Sequence, residues 1–561
     1  MAPHGAHPRS RTVLVTVSLI GLTICLSLAS ARLRGLLANT ALLAGGASMI
    51  GIPLGTFLAV VVAKTSLVGR RLVERLLVVL LFVPLYVQAA AWQAAAGQGG
   101  WLALPALKLF GGTPWLAGWR GAVWVHGMAA VPWAALLVAA ALRNVPREWE
   151  EESLQDIAAG RVLLRVSLRR SLAGMVAAAL WIGVVCATEI AITDLFQVRT
   201  FAEEIYVAAS FGALGGGADM ALGGETAPAE PAAWLSTGDL WLGTLAVMML
   251  ACAALAAVWS WFSASDLTTP SDSWVWRLQR GRWLVAGFAG LLVAVVVGVP
   301  LASLLGKAGT EVHRVDETIV RRWSAGKAAE LILSSPVEHR REWGWSLAIG
   351  GWAAAAATSA GVLLAWALRT GKLPTVPTAL LVAFGFSVPG PLLGVWLIRL
   401  LNHPADSPWY FLTWCYDHTI LAPTMAQALR ALPLATLVMG SQLASVSQDV
   451  LDSAAAEGAG WWRQLWAIAL PLRWPAVVAT LCMTLVVAVG DLAATLLVAP
   501  PGVSTLSIRI FGLLHYGAED RVSALCLALA LALGALATLA WQGMSWWSSR
   551  PGSRVKVDAI R

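Results

Sequence analysis

Long apolar runs separated by short basic loops dominate this chain. Apolar windows predict helices over 13–31, 37–63, 74–95, 118–142, 171–195 and 238–262. A second set falls over 283–305, 344–368, 374–400, 419–444, 473–498 and 522–544. Each run is near the ~20 residues that a helix needs to cross a bilayer. Lipid offers no partner to backbone N–H and C=O groups, so the runs must be regular helices. The expected fold is an all-α polytopic membrane protein with about 12 transmembrane helices.

Composition sharpens this. Of 561 residues, 58% are hydrophobic and 12% charged, against roughly 25% charged in soluble domains. That excludes a soluble globular enzyme, a disordered chain and a fibrous one. The net charge of +8 comes from 39 basic and 31 acidic residues. These basic residues sit in short loops, where they set topology; no basic soluble domain exists to bind nucleic acid. The six cysteines are scattered, with no metal-ligand spacing. Arg9 and Arg11 precede an apolar run, Val13 to Leu28, that ends in Ala29-Ser30-Ala31. This pattern is like a signal peptide, but the run is long and the remaining chain is membrane-embedded, which favours an uncleaved first helix.

Basic residues recur in alternate loops: Lys64, Arg70, Arg71 and Arg75; then Arg143, Arg147, Arg161, Arg165, Arg169 and Arg170; then Arg277, Arg280 and Arg282. One face therefore carries them all, the cytoplasmic one by the positive-inside rule, and both termini fall on it. The loop from Phe196 to Asp239, with Gly215-Gly216-Gly217, Pro228 and Pro231, goes outside. The 306–342 segment goes outside by the same count, against its charge: it holds Lys307, Arg314, Arg321, Arg322, Lys327, Arg340 and Arg341.

The chain also repeats itself. Val83-Pro84 recurs as Val388-Pro389, 305 residues on. Val131-Pro132-Trp133-Ala134 answers to Leu432-Pro433-Leu434-Ala435, and Thr200 to Tyr206 answers to Thr505 to Phe511. Glu189 in span five falls opposite Asp491 in span eleven. Two halves are expected, 1–270 and 271–561. With six spans each they are parallel repeats, and a pathway at their interface is the natural inference.

After span ten, Asp452, Ser453 and Ala454 are followed by Gly458, then by Ile468, Leu470 and Pro471. This spacing resembles the EAA loop of ABC-type importer permeases, E-A-A-x3-G-x9-I-x-L-P. In that family the loop docks into a cytoplasmic ATPase. The residues suit such a role. Asp452 at a helix start can cap free N–H groups, Ala454 to Ala456 permit close approach, Gly458 and Gly460 allow a bend, and Pro471 fits the first turn of the next helix. The first-half loop is degenerate: Glu151-Glu152-Ser153 stands at E-A-A, Ile157 replaces the glycine, and Val166-x-Leu168-Arg169 arrives one residue early.

The whole chain looks most like the fused, two-half permeases of iron(III)-type importers, most closely over Asp491 to Gly502 and Thr505 to Ala518. The resemblance implies a bacterial inner-membrane permease served by a periplasmic binding protein that delivers ferric ion. It implies two ABC ATPase subunits that bind ATP, no cofactor on this chain, no catalytic residue and no resident metal. Related permeases carry thiamine, polyamines or sulfate.

Charges at bilayer depth usually face a cavity or a partner. Glu189 and Asp491 are candidate pathway residues, with Arg430 as a salt-bridge partner; a purely structural hydrogen bond is the alternative. Tyr86, Gln88 and Asp194 are weaker candidates, and His126 reads as structural. Pro389 and Pro391 should interrupt span nine, and Val83-Pro84 should kink span three more mildly. A proton- or sodium-coupled secondary transporter using Glu189 and Asp491 is the rival function; it leaves the 452–471 loop unexplained. No G-x4-G-K-[ST] phosphate loop and no H-E-x-x-H motif is present.

Overall fold

A computed structural model describes residues 20–97, 100–102, 115–211, 235–262, 274–278, 281–315, 318–516 and 519–548. The described residues are almost entirely helical. Seven helices are long and apolar enough to cross a membrane, or up to 11 spans if each bent pair counts as one. The Gly215 to Gly217 loop with Pro228 and Pro231, and residues 13–19 of the first predicted span, lie outside the described residues.

Helix α1 (20–28) is followed at once by α2 (Ala31–Lys64), which starts earlier than its apolar window predicts. The Ser30 side chain accepts from the N–H of Leu33 and caps α2. Its own N–H donates to Asp239 Oδ1 at 3.1 Å. Helix α2 runs alongside α5 (Gly118–Arg143). A Cβ on Gly51 would lie 2.6 Å from Ala130 Cβ, and one on Gly55 2.6 Å from Ala134 Cβ. Small residues there let the backbones touch, which is how helices associate in lipid.

Between them lie α3 (Arg70–Leu81) and α4 (Leu85–Ala96), bent by 108° at Phe82-Val83-Pro84. After α6 (Arg147–Asp156) come α7 (Leu172–Thr188), α8 (Phe201–Ser210) and α9 (Thr237–Phe262). Helix α10 spans Arg282–Ala308.

The segment expected as a long loop over 306–342 is ordered. Strands β1 (Thr310–Val315) and β2 (Thr318–Trp323) form an antiparallel hairpin, and α11 (Ala325–Glu338) follows. Ser324 caps α11 through the N–H of Lys327, whose ammonium pairs with Asp520 at 2.9 Å. Lys327 thus serves a folded element.

Then come α12 (Arg340–Arg369), α13 (Thr375–Ser387), α14 (Gly390–Leu401), α15 (Tyr410–His418) and α16 (Leu421–Ala444). The chain closes with α17 (Gln448–Ala456), α18 (Leu470–Gly490), α19 (Leu506–Tyr516) and α20 (Glu519–Ser548). Helices α13 and α14 are bent by 105° at Val388-Pro389, and α15 and α16 by 87°.

The expectation of a milder kink at Val83-Pro84 is wrong: 108° matches 105°. Pro84 (φ −56°, ψ 146°) and Pro389 (φ −57°, ψ 138°) take the same extended conformation. One Val-Pro suffices to end a helix, so the extra Pro391 adds nothing to the angle.

The broken spans lock the molecule together. Helix α9 packs on α13, while α20 packs on α3 and α4, and α10 packs on α4. Elements late in the chain thus cover elements early in it, around one central cavity.

Candidate functional site

The 448–471 loop packs against the ends of α12 and α16, through Trp366, Met439 and Leu443. Helix α17 ends in a Schellman turn: Ala459 N–H donates to Ala454 O and Gly458 N–H to Ala455 O, both at 2.9 Å. Gly458 has φ +82°, the left-handed conformation in which glycine avoids the Cβ penalty. A short helix, 461–464, then leads through a five-residue π-helical turn (Leu465–Ala469) into α18, with Pro471 in its first turn. Asp452, Ser453 and Gly458 are exposed and Ala454 is half-buried. Asp452 does not start a helix as expected. It sits mid-helix, accepting from Gln448 Nε2 at 2.9 Å, and Ser447 holds the N-cap position.

The first loop has the same plan with a shorter turn. Helix α6 carries Glu151 and Glu152, both exposed, with Glu151 paired to Arg147 at 2.5 Å. Ile157 is extended (φ −134°, ψ 151°) and no left-handed residue follows. The connector is two residues (157–158) against four (457–460) while α6 is one residue longer than α17, a net shortening of one, which is why Val166 and Leu168 arrive early. A π-helical turn recurs at Leu163–Ser167. Glu150 in α6 and Leu451 in α17 are the single buried residue of each helix.

The loops differ at their bases. Glu150 lies 2.7 Å from Lys64 and accepts from Ser167 Oγ at 2.6 Å. Leu451 instead joins an apolar cluster with Trp366, Leu465 and Ala469. The carbonyls that end α16 are capped by cations, Ala444 and Val446 by Arg369 and Ser445 by Arg473.

Glu189 and Asp491 line one cavity of about 290 Å³. Both terminate spans rather than lying inside them: α7 stops at Thr188 and α18 at Gly490, and each carboxylate follows in extended conformation. Each then caps the next helical turn. Glu189 accepts from the N–H groups of Ala191 and Ile192, and Asp491 from the N–H and hydroxyl of Thr495. Arg430 Nε approaches Asp491 Oδ1 at 3.5 Å, and its Nη1 donates to Val388 O at 3.0 Å. That carbonyl is freed by the break between α13 and α14. Gln88 Nε2 does the same for Val83 O, at 3.0 Å, in the other broken span.

His126 was missed as a site residue. Its Nε2 lies 3.6 Å from Glu189 Oε2; five residues before Val131, it corresponds to Gln427 in the second half. Tyr86 and Gln88 line the cavity as expected. Asp194 does not; it pairs with His515 at 3.1 Å. Among the described residues no group of three His, Cys, Asp or Glu converges as a metal site.

Residues 357–545 match the family of the binding-protein-dependent transport system inner membrane component. The chain is 27% identical over 265 residues to the putative 2-aminoethylphosphonate transport system permease protein PhnV of Salmonella typhi, over 46% of this chain and 92% of that protein. Against the PhnV protein of Salmonella paratyphi A it is 37% identical over 87 residues, 16% of this chain and 33% of that one. It is 24% identical over 204 residues to the putrescine transport system permease protein PotI of Escherichia coli, over 36% of this chain and 71% of that protein. Helical spans and these matches together support a multi-pass membrane protein of the ABC importer permease class.

Proposed function

We propose that this chain is the permease subunit of an ATP-driven importer, with two fused halves, 1–270 and 271–561, around a shared pathway. Two ATPase subunits dock on the cytoplasmic loops at 147–170 and 448–471, and ATP binds to them rather than to this chain. A periplasmic binding protein delivers cargo to the opposite face, and both termini are cytoplasmic. The observation that carries this reading is the exposed α17 with its left-handed Gly458, at the spacing of the EAA loop. Two-half organisation is supported by paired elements at a near-constant offset, and by a relative of which 92% is covered by 265 residues of this chain.

Glu189, Asp491 and Arg430 belong to the pathway in this reading. Ferric ion is the cargo that the iron(III)-type resemblance suggests. The two carboxylates would suit a hard cation, but both already accept hydrogen bonds from the chain. The similarity to permeases named for 2-aminoethylphosphonate and putrescine transport favours a small amine-bearing solute instead. Uptake by inside-out and right-side-out vesicles tests the class. Transport abolished by ATP depletion and indifferent to a protonophore is expected. Dependence on the proton gradient alone would favour a secondary transporter.

A further inference from the structure

The cavity's polar groups come in two pairs, one at each of the corresponding carboxylates Glu189 and Asp491, and the pairs are chemically unequal. Arg430 neutralises Asp491. The side chain beside Glu189, His126, is no such fixed cation. His126 Nδ1 lies 2.9 Å from Ala122 O, so Nδ1 carries a proton and donates it. A neutral ring then turns the Nε2 lone pair toward Glu189 Oε2, at 3.6 Å. Two acceptors face one another, and Nε2 is buried without a hydrogen-bond partner. Such an arrangement calls for a donor between them. A nitrogen about 2.8–3.0 Å from each atom fits a gap of 3.6 Å.

The walls suit a cation. Phe82, Tyr86, Trp133 and Trp181 all line the cavity, and aromatic rings attract ammonium groups. Tyr86 Oη and Trp181 Nε1 are also buried without partners, so the cavity offers polar contacts that the chain itself does not use. With Arg430 and Asp491 cancelling, Glu189 leaves an excess negative charge. An anionic head would be repelled by the Glu189 carboxylate there. A trivalent metal would need several free hard ligands, and among the described residues none converge.

We propose that this cavity is a transit site for the primary ammonium group of a small aliphatic solute, seated between Glu189 Oε2 and His126 Nε2. The proposal rests on the permease reading and deepens it by assigning a cargo chemistry.

The test uses the full chain in lipid nanodiscs, without ATPase, and radiolabelled 1,4-diaminobutane as the probe. Ethylammonium should displace the probe, whereas methylphosphonate and ferric citrate should not. Glu189→Gln should weaken binding about tenfold or more, from the loss of a charge-assisted hydrogen bond. His126→Arg sets a fixed cation beside Glu189: its guanidinium should take the place of the ammonium and abolish binding in a folded chain. Absent probe binding, displacement by methylphosphonate or ferric citrate, or unchanged binding in both variants overturns the proposal. Should a variant fail to fold, competition on the unmodified chain decides alone. Failed binding with intact ATPase association removes the ammonium site and leaves the permease class. Intact binding with no ATPase association does the reverse.

Discussion

Lys64, the last residue of α2, and Glu150 in α6 form an ion pair of 2.7 Å in which neither side chain is exposed. Ser167 completes it from the π-helical turn, so three separate elements meet at the base of the first loop. Where the second loop uses Leu451 in an apolar cluster, the first uses charge.

Removing one partner of a buried pair strands the other charge, at a cost of about 3–5 kcal/mol. Lys64→Met and Glu150→Leu should each lower thermal stability strongly. The double variant should recover most of the loss, because the second half already carries leucine there. Melting temperatures in detergent for the four proteins check this; a double variant as unstable as the sum of the singles contradicts it.

Arg430 serves both Asp491 and the carbonyl of Val388 freed by the bend. Arg430→Met strips a charge-assisted partner from each and should cost about 2 kcal/mol or more. Transport should fall with it. Arg430→Lys keeps the charge but not the two-pronged reach, so its stability should be intermediate. Calorimetry of the three proteins settles the order.

Glu203 in α8, a helix too short to cross a membrane, titrates unusually. Burial pushes its carboxyl from the ordinary 4.5 up to about 7; Arg199 pulls it back, while Glu204 and Asp194 push it further. The folded state therefore holds the proton that the unfolded chain has released. Its contribution to stability is complete below pH 4.5 and is lost as the pH rises to 7. Glu203→Gln should remove that decline. Unfolding midpoints at pH 5 and pH 8 for both proteins should show a smaller difference in the variant.

Much of this was legible in the sequence, for physical reasons. Apolar length alone placed the spans, because lipid demands it. Gly458 was legible because a left-handed turn leaves a glycine behind, and Glu189 with Asp491 because a repeat offset ties them. The equal bends at Val83 and Val388 were not, since the second proline, Pro391, looked additive. Glu150 stayed hidden among Glu148, Glu151 and Glu152: only the arrival of Lys64, 86 residues away, singles it out. His126 looked solitary because its partner is Glu189, on another span. The hairpin at 310–323 was masked by a high density of arginine.

The central claim is that the loop around Gly458 holds an ATPase. Its most direct test is affinity purification of the tagged chain in mild detergent, with mass spectrometry of what accompanies it. An ABC-type ATPase should be recovered, and Gly458→Asp should lose it. A Cβ at Gly458 meets open space, so the variant suffers only the local strain of φ +82°, about 1–2 kcal/mol at most, and should remain folded. A folded chain recovered repeatedly without any ATPase, or a Gly458→Asp variant that keeps it, would contradict the account.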